Sequence, residues 1–354
     1  MTRALQHLQP DRAPVDFLAT PEIWGQLIRH FRIEVPGPND EELFEPAREA
    51  VLRALEVDCR VVSYDQFCQP PAGVFESRTK ADWWRSPSRS TPGRMWRQVK
   101  SSGEWLDIWG RSYRRPVTPV GTYEELGVFP LSQAATVEEL KDHPWPEPDW
   151  WDFSALPDPI HRLNQDQEYH LRYRGGSIFE TACQLRGMEA FLADLALSPA
   201  IPAYMMDRLA DVTAEPTRRA LAAAGDRLDM VYFYDDVAAQ NGLMISKEIW
   251  RKHLRPHHVR IIEVAKAHGK HVMYHCDGAI RPLIPELIEM GVDLLNPVQV
   301  TANDIDPAQL KREYGDRLSF HGGIDIVQTL PGGSLEGVER EVRRRIATLG
   351  ALGG

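Results

Sequence analysis

The stretch "HVMYHCDG", residues 271–278, joins an apolar run directly to His275, Cys276, Asp277 and Gly278. Such a run is typical of a parallel strand that is covered on both faces. Three further runs in the second half of the chain have the same form and pass into Asp, Asn or Gly. They are "DMVYFYDD" (229–236), "DLLNPVQ" (293–299) and "LSFHGGID" (318–325). The repetition predicts parallel strands of one sheet.

Helical patterns fill the intervals between these runs. The segment "SKEIWRKHLRPHHVRIIEVAKAHG" begins with Ser246 as an N-cap residue and ends at Gly269. Two shorter helices are predicted to end at Gly291 and Gly315. Strand, helix and glycine thus alternate, which indicates β/α units around a parallel sheet.

The same alternation extends toward the N-terminus, where strands are predicted at residues 13–19, 59–66 and 168–176. About seven strands in a chain of this length predict a single α/β domain over residues 1–354, a (β/α)8 barrel of the TIM type. The chain reaches Gly354 where an eighth strand would begin. The predicted barrel therefore lacks its last strand.

The alternation breaks between residues 67 and 165, a segment rich in Trp and Pro. Within it, "GEWLDIWGRSYRRPVT" (103–118) alternates around a Gly-Arg-Ser break, which predicts a β-hairpin. We expect an insertion after the second strand that lies over one end of the sheet. Its tryptophans could instead bind an aromatic ligand or form the hydrophobic lid of a dimer.

Composition and charge exclude several classes of protein. The formal net charge is −10 and the pI is near 5.7, and no basic stripe offsets this charge, so a nucleic-acid partner is not expected. No apolar run approaches the roughly 18 residues of a membrane span, and the N-terminus is too polar for a secretory signal. The sequence predicts a cytoplasmic protein whose four cysteines are buried thiols without disulfides.

Polar residues collect at the ends of the predicted strands, which is where (β/α)8 barrels carry their chemistry. These positions are Asp65, the turn at residues 174–180 with Glu180, Asp235, Asp236, His275, Cys276, Asp277, Asn296, Gln299, His321 and Asp325. By contrast, the histidines of "HLRPHHVR" (253–260) lie within a helix. We expect them on the surface or between helices.

Side-chain alternation predicts that His275 and Asp277 point to one side of their strand and Cys276 to the other. A His-x-Asp pair is half of a site for zinc or another divalent metal, which Asp236 or His321 could complete. The alternative is a hydrogen-bonded His–Asp pair that holds a polar substrate without a metal.

At these residues the chain resembles the uroporphyrinogen decarboxylase superfamily, and within it the branch of cobalamin-dependent methyltransferases and O-demethylase components. The resemblance rests on "GSIFETACQLRGMEAFLADLALSP", "DMVYFYDDVAAQNGLMISKEIWRKHLRP", "GKHVMYHCDGAIRPLIPELIEMGVDLLNPVQ" and "LSFHGGIDIVQTLP". It implies a (β/α)8 barrel. Where the decarboxylases carry arginines for the acid groups of a porphyrin, this chain reads "FLATPEIWG" (17–25), which argues against that substrate.

The methyltransferase branch binds zinc through a His-x-Cys pair and a later Cys. Here His275 is kept, Asp277 stands in place of the first Cys, and no later Cys follows. A His/Asp site is harder than a thiolate site, so an oxygen substrate such as a carboxylate, an ether or a folate-type compound is favoured over a thiol.

The expected function is a methyltransferase that moves a methyl group between a cobalamin, carried as a corrinoid on a partner protein, and a small molecule. The expected metal ligands are His275, Asp277 and Asp236. The expected catalytic residues are Asp65, Asp235 and His321, and the expected substrate contacts are Glu180, Asn296 and Gln299. A homodimer is favoured. The alternatives are a metal-independent decarboxylase or lyase and a non-catalytic relative that binds a corrinoid or tetrapyrrole.

Overall fold

The structure is a computed structural model that describes residues 1–19, 21–34, 44–71, 78–80, 94–96, 98–99, 103–114, 117–118, 121–122 and 125–354. The chain divides into two compact units. The first contains Met1–Pro14, Gly176–Glu180 and Asp229–Gly354, and the second contains Val15–Gly175 and Thr181–Leu228. The four cysteines are buried free thiols, as predicted. In the part of the chain that the structure describes, no helix is both long enough and apolar enough to cross a membrane.

Six strands pair in parallel with a neighbour in their own unit. They are β1 (Cys59–Ser63) and β2 (His170–Gly176) in the second unit, and β3 (Met230–Tyr234), β4 (His271–His275), β5 (Leu294–Asn296) and β6 (Ser319–Phe320) in the first. In the first unit the spatial order follows the sequence, from β3 to β6. The α/β class with parallel strands is therefore the one that the sequence predicts.

The first unit has one helix ahead of its strands and further helices after them. They are Thr2–Leu5, Lys247–Ile249, the π-helical turn Trp250–Leu254, Arg255–Ala267, Ile284–Met290 after the 3-10 turn Arg281–Leu283, Pro307–Tyr314, Thr329–Gly332 and Leu335–Leu349. A short antiparallel pair, Ala238–Ala239 with Gly242–Leu243, follows β3. The predicted helix ends are confirmed. The Ser246 side chain accepts a hydrogen bond from the backbone N–H of Ile249, and Gly291 ends its helix at a φ of 100°.

The strands of the first unit have two faces, which follow from side-chain alternation. Tyr234, His275 and Asn296 are direct partners in the register of β3, β4 and β5, so their side chains form one row. We call this side the site face. We call the opposite side the helix face, because Phe233 and Tyr274 there pack against a side chain of helix Arg255–Ala267.

A buried cluster closes the other end of the site face. Leu5, from the first helix, packs with Met230, Met273 and Leu294 at the start of the strands. Burial of such large side chains stabilises the fold by about 1.5–3 kcal/mol each. The apolar layer therefore leaves the polar row at the carboxyl ends of the strands.

In the second unit β1 and β2 run in register from the pair Cys59 and His170. The helices here, one of which begins in the first unit, are Pro21–His30, Pro46–Ala54, Val137–Lys141, Pro157–Leu163, Phe179–Arg186, Met188–Leu197 and Ala200–Ala224, with 3-10 turns at Tyr64–Phe67, Pro148–Trp150 and Gly225–Arg227. The helix over Met188–Leu197 is the one that the sequence predicts.

The described residues of the insertion include antiparallel strands besides the helices Val137–Lys141 and Pro157–Leu163. The strands come first in the sequence. They are Arg78–Lys80 with Arg94–Trp96, then Gln98–Val99, Trp105–Leu106, Ser112–Arg114 and Glu125–Leu126 in one sheet, and Val117–Thr118 with Gly121–Thr122. The predicted hairpin is confirmed, since Trp105 pairs with Tyr113 and their rings stack at 4.2 Å. Asp107 holds the turn, because its carboxylate accepts backbone hydrogen bonds from Trp109 and Arg111.

Two details of the predicted strands are wrong. Residues 13–19, all of which the structure describes, form no strand. Val15 donates to the Asp58 carboxylate at 2.7 Å and accepts from the Asp58 N–H at 2.9 Å. The predicted strand 59–66 ends at Ser63, where a capping box starts a 3-10 turn. No described residue after Leu349 is in a strand. The extent of the single domain stays a prediction.

Candidate metal centre

Three side chains converge where β3 and β4 end. Asp236, His275 and Asp277 each offer one ligand atom, and these three atoms all lie within 4.8 Å of one another. The Nε2 atom of His275 is 3.8 Å from Oδ1 of Asp236. All three residues are half-buried, so the group can be reached from solvent while its surroundings restrain it.

The backbone around these residues is fixed by hydrogen bonds that continue past the strand ends. The N–H of Asp235 donates to the carbonyl of His275 at 3.0 Å. The N–H of Asp277 donates to the carboxylate of Asp236 at 2.8 Å. The N–H of Cys276 donates to the carbonyl of Asn296 at 2.9 Å. The ligand atoms are thus positioned by the main chain and do not depend on flexible loops.

The charges in this cluster are unbalanced. Burial raises the pKa of Asp236, and the negative charges of Asp277 and Asp235 act in the same direction. The Asp277 N–H and His275 oppose that rise in the pKa. A divalent cation would offset the repulsion between the carboxylates.

The donor set fits such a cation. Zinc binds both imidazole nitrogen and carboxylate oxygen, and three protein ligands leave its fourth position open for water or substrate, as in catalytic zinc sites. With two oxygen donors and no thiolate, the set is a hard one. Of the two completions that the sequence left open, the one through Asp236 is brought together, and His321 instead bonds to Asn296.

Gly278 allows the chain to turn directly after Asp277. Its φ is +88°, and a Cβ atom there would lie 2.7 Å from the backbone oxygen of Ala239. Its N–H donates to Oε1 of Gln299 at 2.5 Å. No residue other than glycine fits this position without moving the main chain next to Asp277.

A second chain of contacts starts at His275 on the site face. Its Nδ1 atom is 2.6 Å from Oδ1 of Asn296. The amide Nδ2 of Asn296 is 2.5 Å from Nδ1 of His321. The ring of Tyr232 packs edge-on against His275, with centroids 6.2 Å apart. Asn296 therefore bridges the imidazole of His275, on β4, and that of His321, which follows β6.

On the helix face, Asp235 is fully buried and its carboxylate accepts several hydrogen bonds. It accepts from the backbone N–H groups of Ile178 and Glu180 at 2.9–3.1 Å. It also accepts from Nε2 of His258 at 2.7 Å. The hydroxyl of Tyr274 donates to the Asp235 carbonyl at 3.0 Å. Consecutive aspartates thus face opposite ways, so that Asp236 reaches the site and Asp235 holds the surrounding chain.

Comparison with known proteins identifies the family. The family model described as uroporphyrinogen decarboxylase (URO-D) matches residues 135–353, more than half of the chain. The chain belongs to the uroporphyrinogen decarboxylase family. The match includes Asp236, His275 and Asp277, whereas Asp65 lies outside it.

This family member is also similar to solved structures, and that similarity covers more of the chain than residues 135–353. Eight solved chains match its structure. One of them, a methyltransferase from Methanosarcina mazei, has a TM-score of 0.59 and 13% sequence identity, and the match covers 98% of this chain and 88% of that chain. The URO-D fold is a TIM barrel, which agrees with the barrel predicted from the sequence. No curated protein matches the chain by sequence.

Three other predicted site residues of this URO-D family member, Gln299, Glu180 and Asp65, are not part of the cluster of Asp236, His275 and Asp277. Gln299 is buried against Gly278, and Glu180 is half-buried with its N–H bonded to Asp235. Asp65 belongs to the second unit, where it accepts from the hydroxyl of Ser63 at 3.2 Å and from Arg174 at 3.4 Å. Their roles toward a substrate stay predictions.

Three further expectations concern side chains outside the cluster. Asp325 accepts from the backbone N–H groups of Val327 and Gln328, which holds its own turn. Cys276 has no exposed surface, as the alternation predicts, and burial raises the pKa of its thiol. The expected proton or anchoring role of Asp235 does not suit its contacts, because its carboxylate has no exposed surface and is already hydrogen-bonded.

His258 is the functional-site neighbour that sequence reasoning missed. A surface position was one of the two expected for it, yet it has no exposed surface. Leu254, His258, Ile261, Ile262 and Ala265 are all buried. Their spacing of i, i+4, i+7, i+8 and i+11 marks one helical face, so the pattern that could have placed His258 inside was present in the sequence.

Proposed function

We propose that this chain is a methyltransferase that transfers a methyl group between a corrinoid on a partner protein and a small oxygen-containing substrate, with assistance from a divalent metal. The observation that carries the proposal is the convergence of Asp236, His275 and Asp277 at the carboxyl ends of β3 and β4. In TIM barrels this end carries the active site. Membership of the uroporphyrinogen decarboxylase family and the likeness to a solved methyltransferase are consistent with it.

His275 through Nε2 and one oxygen from each of Asp236 and Asp277 would hold the metal. Zinc fits this set, and other divalent metals that accept nitrogen and oxygen donors fit it too. When bound, the metal would lower the pKa of an acceptor group and so favour its reactive, deprotonated form. The absence of thiolate ligands favours an oxygen acceptor over a thiol.

The chain's own residues would keep the site in shape during the reaction. The Asp277 N–H holds the Asp236 carboxylate, and Gln299 holds the Gly278 N–H. Asn296 restrains His275 from its other nitrogen. These contacts would limit reorganisation of the donor atoms when substrate arrives.

The test is loss of the methyl group from free methylcobalamin, which is measured through the change in its visible absorption. A phenol, a carboxylic acid and 2-mercaptoethanesulfonate serve as separate methyl acceptors. We expect zinc-loaded wild type to react with an oxygen acceptor and chelated protein to lose the activity. Asp277→Asn should be inactive, while the control His253→Ala, which changes a histidine of another segment, should match wild type. Full turnover after complete chelation would contradict metal assistance and favour a metal-independent lyase.

A further inference from the structure

The two imidazoles bridged by Asn296 do not meet equivalent atoms. His275 Nδ1 faces the amide oxygen of Asn296 at 2.6 Å, and His321 Nδ1 faces the amide nitrogen at 2.5 Å. An amide oxygen only accepts hydrogen bonds, and an amide nitrogen only donates them. His275 must therefore carry a proton on Nδ1, whereas His321 must carry a lone pair there.

We propose that Asn296 is a positioning residue that sets opposite tautomers on His275 and His321. In its neutral form His275 then has its lone pair on Nε2, the atom that faces Asp236 and Asp277. Neutral His321 has its proton on Nε2. The part of this inference that concerns metal binding rests on the proposed function, but the assignment of the tautomers does not.

The position of Asn296 follows from the strand register. His275 and Asn296 are direct partners in β4 and β5, so their side chains leave the same face side by side. The backbone of His321 is held on the next strand, because its N–H donates to the Leu295 carbonyl and its carbonyl accepts from the Val298 N–H. Main-chain pairing thus positions the residues whose side chains form the bridge.

Metal binding requires the amide orientation found here. Turning the Asn296 amide over would place a proton on Nε2 of His275, the atom that lies 3.8 Å from Oδ1 of Asp236. The orientation found here leaves a lone pair at that atom, and a metal ligand requires a lone pair.

The tautomer of His321 changes its expected role. With the proton on Nε2, the neutral ring cannot accept a proton at that atom. The tautomer therefore argues against general-base catalysis through Nε2 of His321.

Nitrogen-15 NMR of the metal-free protein, labelled at histidine, tests the tautomers directly. His275→Gln and His321→Gln identify the two sets of signals. We expect the Nδ1–H form of His275 and the Nε2–H form of His321 in wild type. In Asn296→Asp, two acceptor oxygens face the rings, so His275 should keep its form and His321 should change to Nδ1–H. A proton on Nε2 of His275 in wild type would overturn the proposal.

Zinc titration of the same metal-free proteins supplies the second readout. Asn296→Leu should weaken zinc binding by about 10- to 100-fold, the range for loss of an outer hydrogen-bond partner, and Asn296→Asp should retain it. Equal zinc affinity in Asn296→Leu and wild type would contradict the positioning role. If wild type binds no zinc but shows the expected tautomers, the assignment to Asn296 stands and the proposed metal-dependent function fails.

Discussion

The imidazole of His258 donates a hydrogen bond of 2.7 Å to the carboxylate of Asp235, and neither side chain has any exposed surface. The rings of Phe233, Trp250 and Tyr274 surround His258, with centroid distances of 5.1 to 6.5 Å among these rings. Asp235 directly precedes the candidate ligand Asp236. A buried polar pair on the helix face therefore fixes the main chain from which the site-face carboxylate extends.

Replacing His258 with alanine should destabilise the protein severely. It would leave the Asp235 carboxylate buried without its side-chain partner, and breaking a buried pair in this way costs about 3–5 kcal/mol. Urea denaturation of metal-free protein measures the change in the free energy of unfolding. His253→Ala, a half-buried position on the preceding turn, is the control and should change that free energy far less. Equal stability of the two variants would contradict the structural role of His258.

Gly278→Ala should damage both the fold and the metal centre. The positive φ alone costs about 1–3 kcal/mol for a residue with a side chain, and the new Cβ would meet the backbone of Ala238 and Ala239 at 2.7–2.9 Å. Gly269→Ala is a matched control, because Gly269 also has a positive φ but no atom lies within 4 Å of its Cβ position. We expect a lower Tm for Gly278→Ala than for Gly269→Ala, and weaker zinc binding for Gly278→Ala alone. Similar values for both would show that the close approach to the backbone is unimportant.

Asp236→Asn should separate stability from metal binding. Burial and the neighbouring carboxylates raise the pKa of Asp236 in the folded protein, so its ionised form destabilises the metal-free protein at neutral pH. This cost should shrink as the pH falls through the raised pKa toward the unfolded value. Asn removes the charge and keeps an oxygen for the Asp277 N–H. The Tm of metal-free Asp236→Asn should therefore exceed that of wild type at pH 7.

Asp236→Asn should also bind zinc more than about 100-fold more weakly than wild type. This loss exceeds the one expected when a hydrogen-bond partner of a metal ligand is removed. Asp142→Asn, an exposed aspartate at a helix end, should leave both the Tm and the zinc affinity unchanged. A lower Tm for metal-free Asp236→Asn than for wild type at pH 7 would contradict the unfavourable charge assigned to this carboxylate.

Much of the first unit was predictable, because its strands are apolar on both faces and its helices end at glycines. The grouping of His275 with Asp277 followed from alternation along β4, and the parallel order of the strands brought Asp236 beside them. The apolar residues at 13–19 suggested a strand, but the bonds between Val15 and Asp58 are not part of a strand ladder.

The separate roles of Asp235 and Asp236 could not be predicted from the sequence alone. Both follow a buried strand, and their difference depends on where the strand ends and on what packs behind it. The partner of Asp235, His258, lies 23 residues further along the chain. Likewise, the bridge from His275 through Asn296 to His321 depends on the register of three strands, which the sequence does not specify.

Elemental analysis of the purified protein tests most directly whether Asp236, His275 and Asp277 bind a divalent metal. Wild type would be compared with His275→Ala and Asp277→Ala, with His253→Ala as the control. We predict about one zinc or other transition-metal ion per chain in wild type and in the control, and its loss in both site variants. Metal-free wild type that takes up no ion on reconstitution would contradict the account, as would site variants that retain the full amount.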